Sequence, residues 1–130
     1  MQLKWIRIVF AIAALYEGGL GIAFLFFGSA IFRQTGTPPP NHMGYITFPA
    51  LLLIVFGVMF WRVAADPIRN RDLVLYGAGL KAAYSGAAFW YELHGGIPPL
   101  WRPWAWIDLV FLFLFLIAWT RIPARPPTTV

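Results

Sequence analysis

Four long apolar runs, Ile8–Phe32, Tyr45–Trp61, Leu73–Tyr91 and Trp104–Trp119, take up most of this 130-residue chain. A helix needs roughly 20 residues to cross a hydrocarbon core of about 30 Å, and the shorter runs approach that length once their aromatic flanks are included. One such helix could hide in a soluble core, but four in so short a chain leave no amphipathic layer to cover them. The composition agrees, with 60% hydrophobic and only 12% charged residues, outside soluble norms. The expected fold is an all-α, four-transmembrane-helix bundle, up-down-up-down, built as a single integral membrane domain over residues 1–130. Its helices are expected at about 5–32, 45–63, 72–92 and 101–120, with a mobile tail over 122–130.

A net charge of +5 in a soluble domain would suggest nucleic acid, but the placement of the basic residues gives another account. In a four-pass threading, Lys4, Arg7, Arg62, Arg69, Arg71, Arg121 and Arg125 fall on one side, and only Arg33 and Arg102 on the other. That is the positive-inside bias, and it puts both termini in the cytoplasm. The excess charge orients the chain and meets anionic lipid, so no nucleic-acid partner is needed. Lys4 and Arg7 ahead of an apolar stretch imitate a secretory signal, yet no small-residue cleavage site follows; a retained first helix is expected. The chain has no cysteine, which rules out thiolate chemistry and disulfides.

Prolines and glycines mark the connections. Three successive prolines, Pro38 to Pro40, cannot continue a helix and make a stiff outer loop. The short inner turn from Asp66 to Arg71 makes helices two and three antiparallel neighbours, with Asp72 placed to cap helix three. A second outer loop holds Gly95, Gly96, Pro98 and Pro99. Gly36-Thr37-Pro38-Pro39 and Gly96-Ile97-Pro98-Pro99 follow the first and third helices as a faint repeat.

The charges that remain inside the apolar runs are the candidate site. Glu17 lies ten residues after Arg7 and Lys81 ten after Arg71, so at 1.5 Å per residue both sit roughly 15 Å above the inner interface. Two separately buried charges would cost about 2.5–3.5 kcal/mol each on the gentlest insertion scales, whereas a contact at equal depth removes much of that cost. Asp108 lies about one turn higher and Tyr84 at its level, giving an expected cluster of Glu17, Lys81, Tyr84 and Asp108 with Tyr16 nearby. Two carboxylates facing one ammonium are expected to leave one of them protonated near neutrality. Small residues around Glu17 (Ala14, Gly18, Gly21) and around Lys81 (the series Ala78, Ala82, Gly86) would let helices one and three approach closely. Such a cluster either fixes helix register or handles a ligand or proton.

Other signals are weaker. His42, Glu92 and His94 stand near the outer surface and could line the mouth of an outer cavity. Two histidines without cysteine or helical pairing make a poor metal site, and none is expected. Phe24, Phe26, Phe27, Phe89 and Trp90 could stack a flat lipophile such as a quinone. No serine nucleophile, phosphate-cradling glycine loop or dinucleotide fingerprint is present, so no catalytic residue and no cofactor is assigned.

Phe48-Pro49 at the start of helix two, Asp66-Pro67 with Arg71 in the inner turn, Lys81 in helix three and Asp108-Leu109 in helix four resemble small four-helix bacterial inner-membrane proteins of the DoxX-like kind. The resemblance implies a four-helix bundle of the bacterial cytoplasmic membrane, sometimes an accessory partner in redox or respiratory assemblies. The first functional expectation is a non-enzymatic accessory or scaffold subunit, meeting a membrane-protein partner or a second copy of itself in the bilayer. The alternative is a binding or transport module in which Lys81, with Glu17 or Asp108, meets an anionic or quinone-like head group in a cavity opening outward past Glu92. An enzyme using Glu17 or Asp108 as acid and base has the least support, since nothing accompanies them.

Overall fold

A computed structural model of the chain describes residues 3–127. It is all-helical: α1 (Lys4–Gln34), α2 (Gly44–Ala65), α3 (Arg71–Leu93) and α4 (Arg102–Arg121), with a single 3-10 turn, Pro99–Trp101, leading into α4. Among the described residues there is no strand. Three helices, α1, α2 and the Pro99–Arg121 segment, are long and apolar enough to cross a membrane. α3 is long enough, but the small and polar residues around Lys81, from Gly77 to Gly86, dilute its apolar character. Large apolar side chains stand outward on every helix, Leu15 (74% exposed) and Phe26 (71%) among them, which suits a lipid surround and would be a severe liability in water.

The helices associate as two antiparallel pairs. In the first pair, Ala14 and Gly18 of α1 meet Gly57 of α2, Gly21 meets Ala50 and Ile54, and Gly28 meets Ile46. A β-carbon on Gly21 would lie 2.6 Å from the Ala50 carbonyl oxygen, and one on Gly57 would lie 3.0 Å from the Gly18 nitrogen. Small residues here permit backbone contact where lipid supplies no hydrophobic drive to association. The glycines of α1 therefore serve α2, not α3 as the sequence suggested. On α3, Gly77 packs under Phe60 and Phe115 and Ala78 is buried, whereas Ala82 and Gly86 face outward.

At one end, Ile6, Val63, Val74, Ala118 and Ile122 share a core with Phe10, Phe60 and Phe115, whose rings contact one another. The α1 and α3 N-termini and the α2 and α4 C-termini thus gather at the end that carries most of the basic residues. A smaller core of Phe24, Phe32, Ala50 and Leu100 closes the opposite end.

The connections differ from expectation in detail. Asp72 does not cap α3; the residue before the helix is Asn70, with no side-chain cap. Asp66 and Asn70 close the turn instead: Asp66 Oδ1 accepts from the Arg69 N–H, and the Asn70 amide donates to the Arg62 and Asp66 carbonyls. Ile122, assigned to a mobile tail, is buried, and its carbonyl accepts from Arg71 Nε at 2.9 Å. The last part of that tail, 128–130, lies outside the described residues. Against the sequence repeat, the α1–α2 loop and the loop after α3 begin alike but one residue out of step: the first positive-φ glycine is Gly36 after α1 and Gly95, followed by Gly96, after α3.

Candidate functional site

Glu17, Lys81 and Asp108 come together between the two helix pairs. Lys81 Nζ donates to Glu17 Oε1 and, at 2.9 Å, to Asp108 Oδ1. The three residues are 2%, 0% and 6% exposed, so all three are withdrawn from bulk solvent and from lipid. Depth counting gave the contact, and the low cost of pairing relative to separate burial explains it. Aromatic faces complete the shell: the ammonium lies 5.0 Å from the ring centres of Tyr16 and Phe111 and 5.7 Å from that of Phe60. These distances are within cation–π range, so the faces left free by the carboxylates are still favourable for a cation. Ser85 donates its hydroxyl to the Lys81 carbonyl at 2.6 Å, one turn back along α3.

Tyr84 was expected in this cluster and is not bonded to it. Its hydroxyl donates to the Trp101 carbonyl at 3.0 Å, pinning the 3-10 turn to α3. Phe60 and Phe111 were missed by the sequence reading. Their signal was available in part: Phe111 is three residues after Asp108, on the same face of α4.

A cleft of about 280 Å³ rises from the cluster toward the less basic end. Tyr16, Glu17 and Asp108 lie at its base; Phe24, Trp101 and Trp104 contribute aromatic walls; Leu53 and Phe56 of α2 face them. Pro49 and Leu52 stand exposed on its rim, so it is open on the flank of the bundle. Pro49 has no N–H to donate to the Tyr45 carbonyl, which weakens α2 at this level. Lys81 is not among the lining residues. The cavity therefore sees the carboxylate side of the cluster and not its ammonium.

The expected outer mouth is not assembled. Glu92 pairs with Arg102 at 3.1 Å and accepts from the Ile97 N–H. His94 stacks on Trp90 and bonds its carbonyl, while His42 Nδ1 accepts from the Gly44 N–H at the start of α2. None of the three lines the cleft, which does not run past Glu92. Among the described residues no three His, Asp or Glu side chains are grouped to hold a metal ion. Of the five aromatics considered for stacking a flat ligand, Phe24 alone lines the cleft; Phe26, Phe27 and Trp90 face outward and Phe89 packs on Trp106.

No protein-family model, curated protein or solved structure matches the chain.

Proposed function

We propose that this chain is a four-span bundle of the bacterial cytoplasmic membrane, with both termini cytoplasmic, that binds a small lipophilic molecule in the cleft above the Glu17–Lys81–Asp108 cluster. The threading is supported by seven basic residues at one end against two at the other and by the positive-inside rule. The DoxX-like resemblance points to the same membrane.

The observation that carries the binding role is the cleft itself. Its volume of about 280 Å³ lies near the lower bound of ligand pockets, about 300 Å³, and is nearly twice the ~150 Å³ that accommodates benzene in an engineered cavity. That is room for one ring or a short chain, with the remainder of the molecule leaving through the flank into lipid. Apolar walls with a few polar groups at one end are the usual form of a site that orients its ligand. The anionic alternative loses its support, because Lys81 is 0% exposed and spent on two carboxylates.

Thermal unfolding in detergent, with and without a membrane lipid extract, tests this. The parent protein is expected to gain stability from the extract, and Leu53→Trp, which fills the cleft, to gain none. Equal gains, or no gain in the parent, overturn the reading.

The accessory-subunit reading is favoured by a different surface. Gly79, Ala82, Ala83, Gly86 and Ala87 make an exposed small-residue face on α3, with open space beside Gly79 and Gly86. Such faces serve helix–helix contact in membranes. A change of oligomeric state in Gly79→Leu or Gly86→Leu, measured by cross-linking in intact membranes, is the expected mark of this role; an unchanged pattern opposes it.

A further inference from the structure

We infer that the molecule held in the cleft carries a hydrogen-bond donor, a hydroxyl or an ammonium, at its buried end, and that lipophiles ending in acceptors alone or in an anion are disfavoured. The inference rests on the binding role proposed above and adds the chemistry of the ligand.

The polar groups at the base of the cleft are unequal. Glu17 and Asp108 each give one oxygen to Lys81 Nζ. The second oxygen of each, Glu17 Oε2 and Asp108 Oδ2, has no hydrogen-bond partner among the described residues, and both residues line the cleft. The cation that could have answered an anionic ligand lies behind them, fully buried. Other donors nearby are committed or shielded: the Tyr84 hydroxyl is bonded to the Trp101 carbonyl, and the Trp104 Nε1, although without a partner among the described residues, is buried in the wall with no surface open to the cleft. The neutral Tyr16 hydroxyl is left. A donor meeting a carboxylate makes a charge-assisted bond roughly twice as strong as a neutral one, whereas an acceptor here would meet only neutral donors, the Tyr16 phenol and the carboxyl that holds the shared proton, and would lie against the remaining carboxylate oxygens.

The charge count points the same way. Two carboxylates against one ammonium give the cluster a net charge of −1 when both are ionised. An entering ammonium takes the place of the proton that otherwise balances this charge, and the aromatic walls of Phe24, Trp101 and Trp104 suit a cation. A hydroxyl answers the open oxygens equally well without changing the count. An anion would bring a further negative charge against carboxylate oxygens in a place where water cannot screen it.

The test uses the full chain in lipid nanodiscs and four probes sharing one decyl tail: decylhydroquinone, its dimethyl ether, decylammonium and decyl sulfate. Binding is read as ligand-dependent stabilisation of the fold. The hydroquinone, the ammonium or both are expected to bind at least about tenfold more tightly than the ether and the sulfate, equivalent to about 1.4 kcal/mol. Whichever of the two donors binds more tightly identifies the source of the donor. Asp108→Asn, or Glu17→Gln where that variant does not fold, is expected to reduce the preference. Equal binding of all four probes overturns the donor inference while leaving the lipophilic cleft in place. Binding that persists in Leu53→Trp, or no binding of any probe, overturns both.

Discussion

Lys81 on α3 and Asp108 on α4 are joined at 2.9 Å between Nζ and Oδ1, and the same nitrogen reaches back to Glu17 on α1. One side chain thus ties the first helix pair to the second. Removing one partner of a buried pair leaves an uncompensated charge, at a typical cost of 3–5 kcal/mol. Lys81→Met is expected to lose about that much thermal stability in detergent. The triple change Lys81→Met, Glu17→Gln, Asp108→Asn is expected to recover most of it, because apolar or neutral replacements of a whole buried cluster are often tolerated. A triple variant no more stable than Lys81→Met would show that the cluster contributes more than mutual neutralisation.

Charge balance also predicts a proton. With a single ammonium among two carboxylates in a low-dielectric interior, the resting cluster is expected to hold one proton shared by Glu17 and Asp108. α2 adds no titratable group to this neighbourhood; Tyr16 and Tyr84 are the other ionisable side chains lining the cleft. Infrared spectra at neutral pH should show a protonated-carboxyl band that either Glu17→Gln or Asp108→Asn removes. A spectrum without that band would mean that both acids are ionised.

The glycines of α1 separate by environment. A β-carbon on Gly21 would sit 2.6 Å from a backbone oxygen of α2, while one on Gly18 or Gly19 would meet nothing within 4 Å. Backbone cannot swing aside as a flexible side chain can, so Gly21→Ala is expected to cost about 1–3 kcal/mol, the usual range for overpacking. Gly18→Ala and Gly19→Ala are expected to be neutral or slightly stabilising, since alanine is the better helix former. Unfolding midpoints of the three variants measured side by side decide it, and a Gly21→Ala protein as stable as the parent would contradict the close α1–α2 approach.

How much of this was legible in the sequence depends on the kind of signal. Apolar runs and proline-rich loops locate the helices, and counting from Arg7, Arg71 and Arg121 puts Glu17, Lys81 and Asp108 within a turn of one another. Azimuth was not legible. A helix apolar on its lipid side and on its inner side has no polar face to show which way it turns. The small residues of α1 therefore announced close contact without naming Gly57 and Ala50 as its object. The same blindness misassigned the Tyr84 hydroxyl, and it hid that Trp101 and Trp104 wall the cleft. Asp108 and Glu17 could be read as partners of Lys81, but that each keeps a second, unpaired oxygen while lining the cleft required coordinates.

Arg71 gives the last prediction. It lies in the first turn of α3, where a cation opposes the helix dipole, so something else must favour it there. Its Nε and Nη2 donate to the carbonyls of Ile122 and Trp119, at 2.9 and 3.3 Å, and its guanidinium lies 4.1 Å over the Trp119 ring. Those carbonyls are at the C-terminal end of α4 and just beyond it, where the helix leaves its last acceptors unpaired. Arginine supplies a planar fork and a stacking face together, which lysine cannot. Arg71→Lys is therefore expected to lose much of what Arg71→Met loses, about 1.5–3 kcal/mol for a hydrogen bond to a charged group. In both variants the chain after Thr120 should become open to protease at the basic end. Protection of that segment equal to the parent's in Arg71→Met would show that Ile122 is held by its apolar contacts alone.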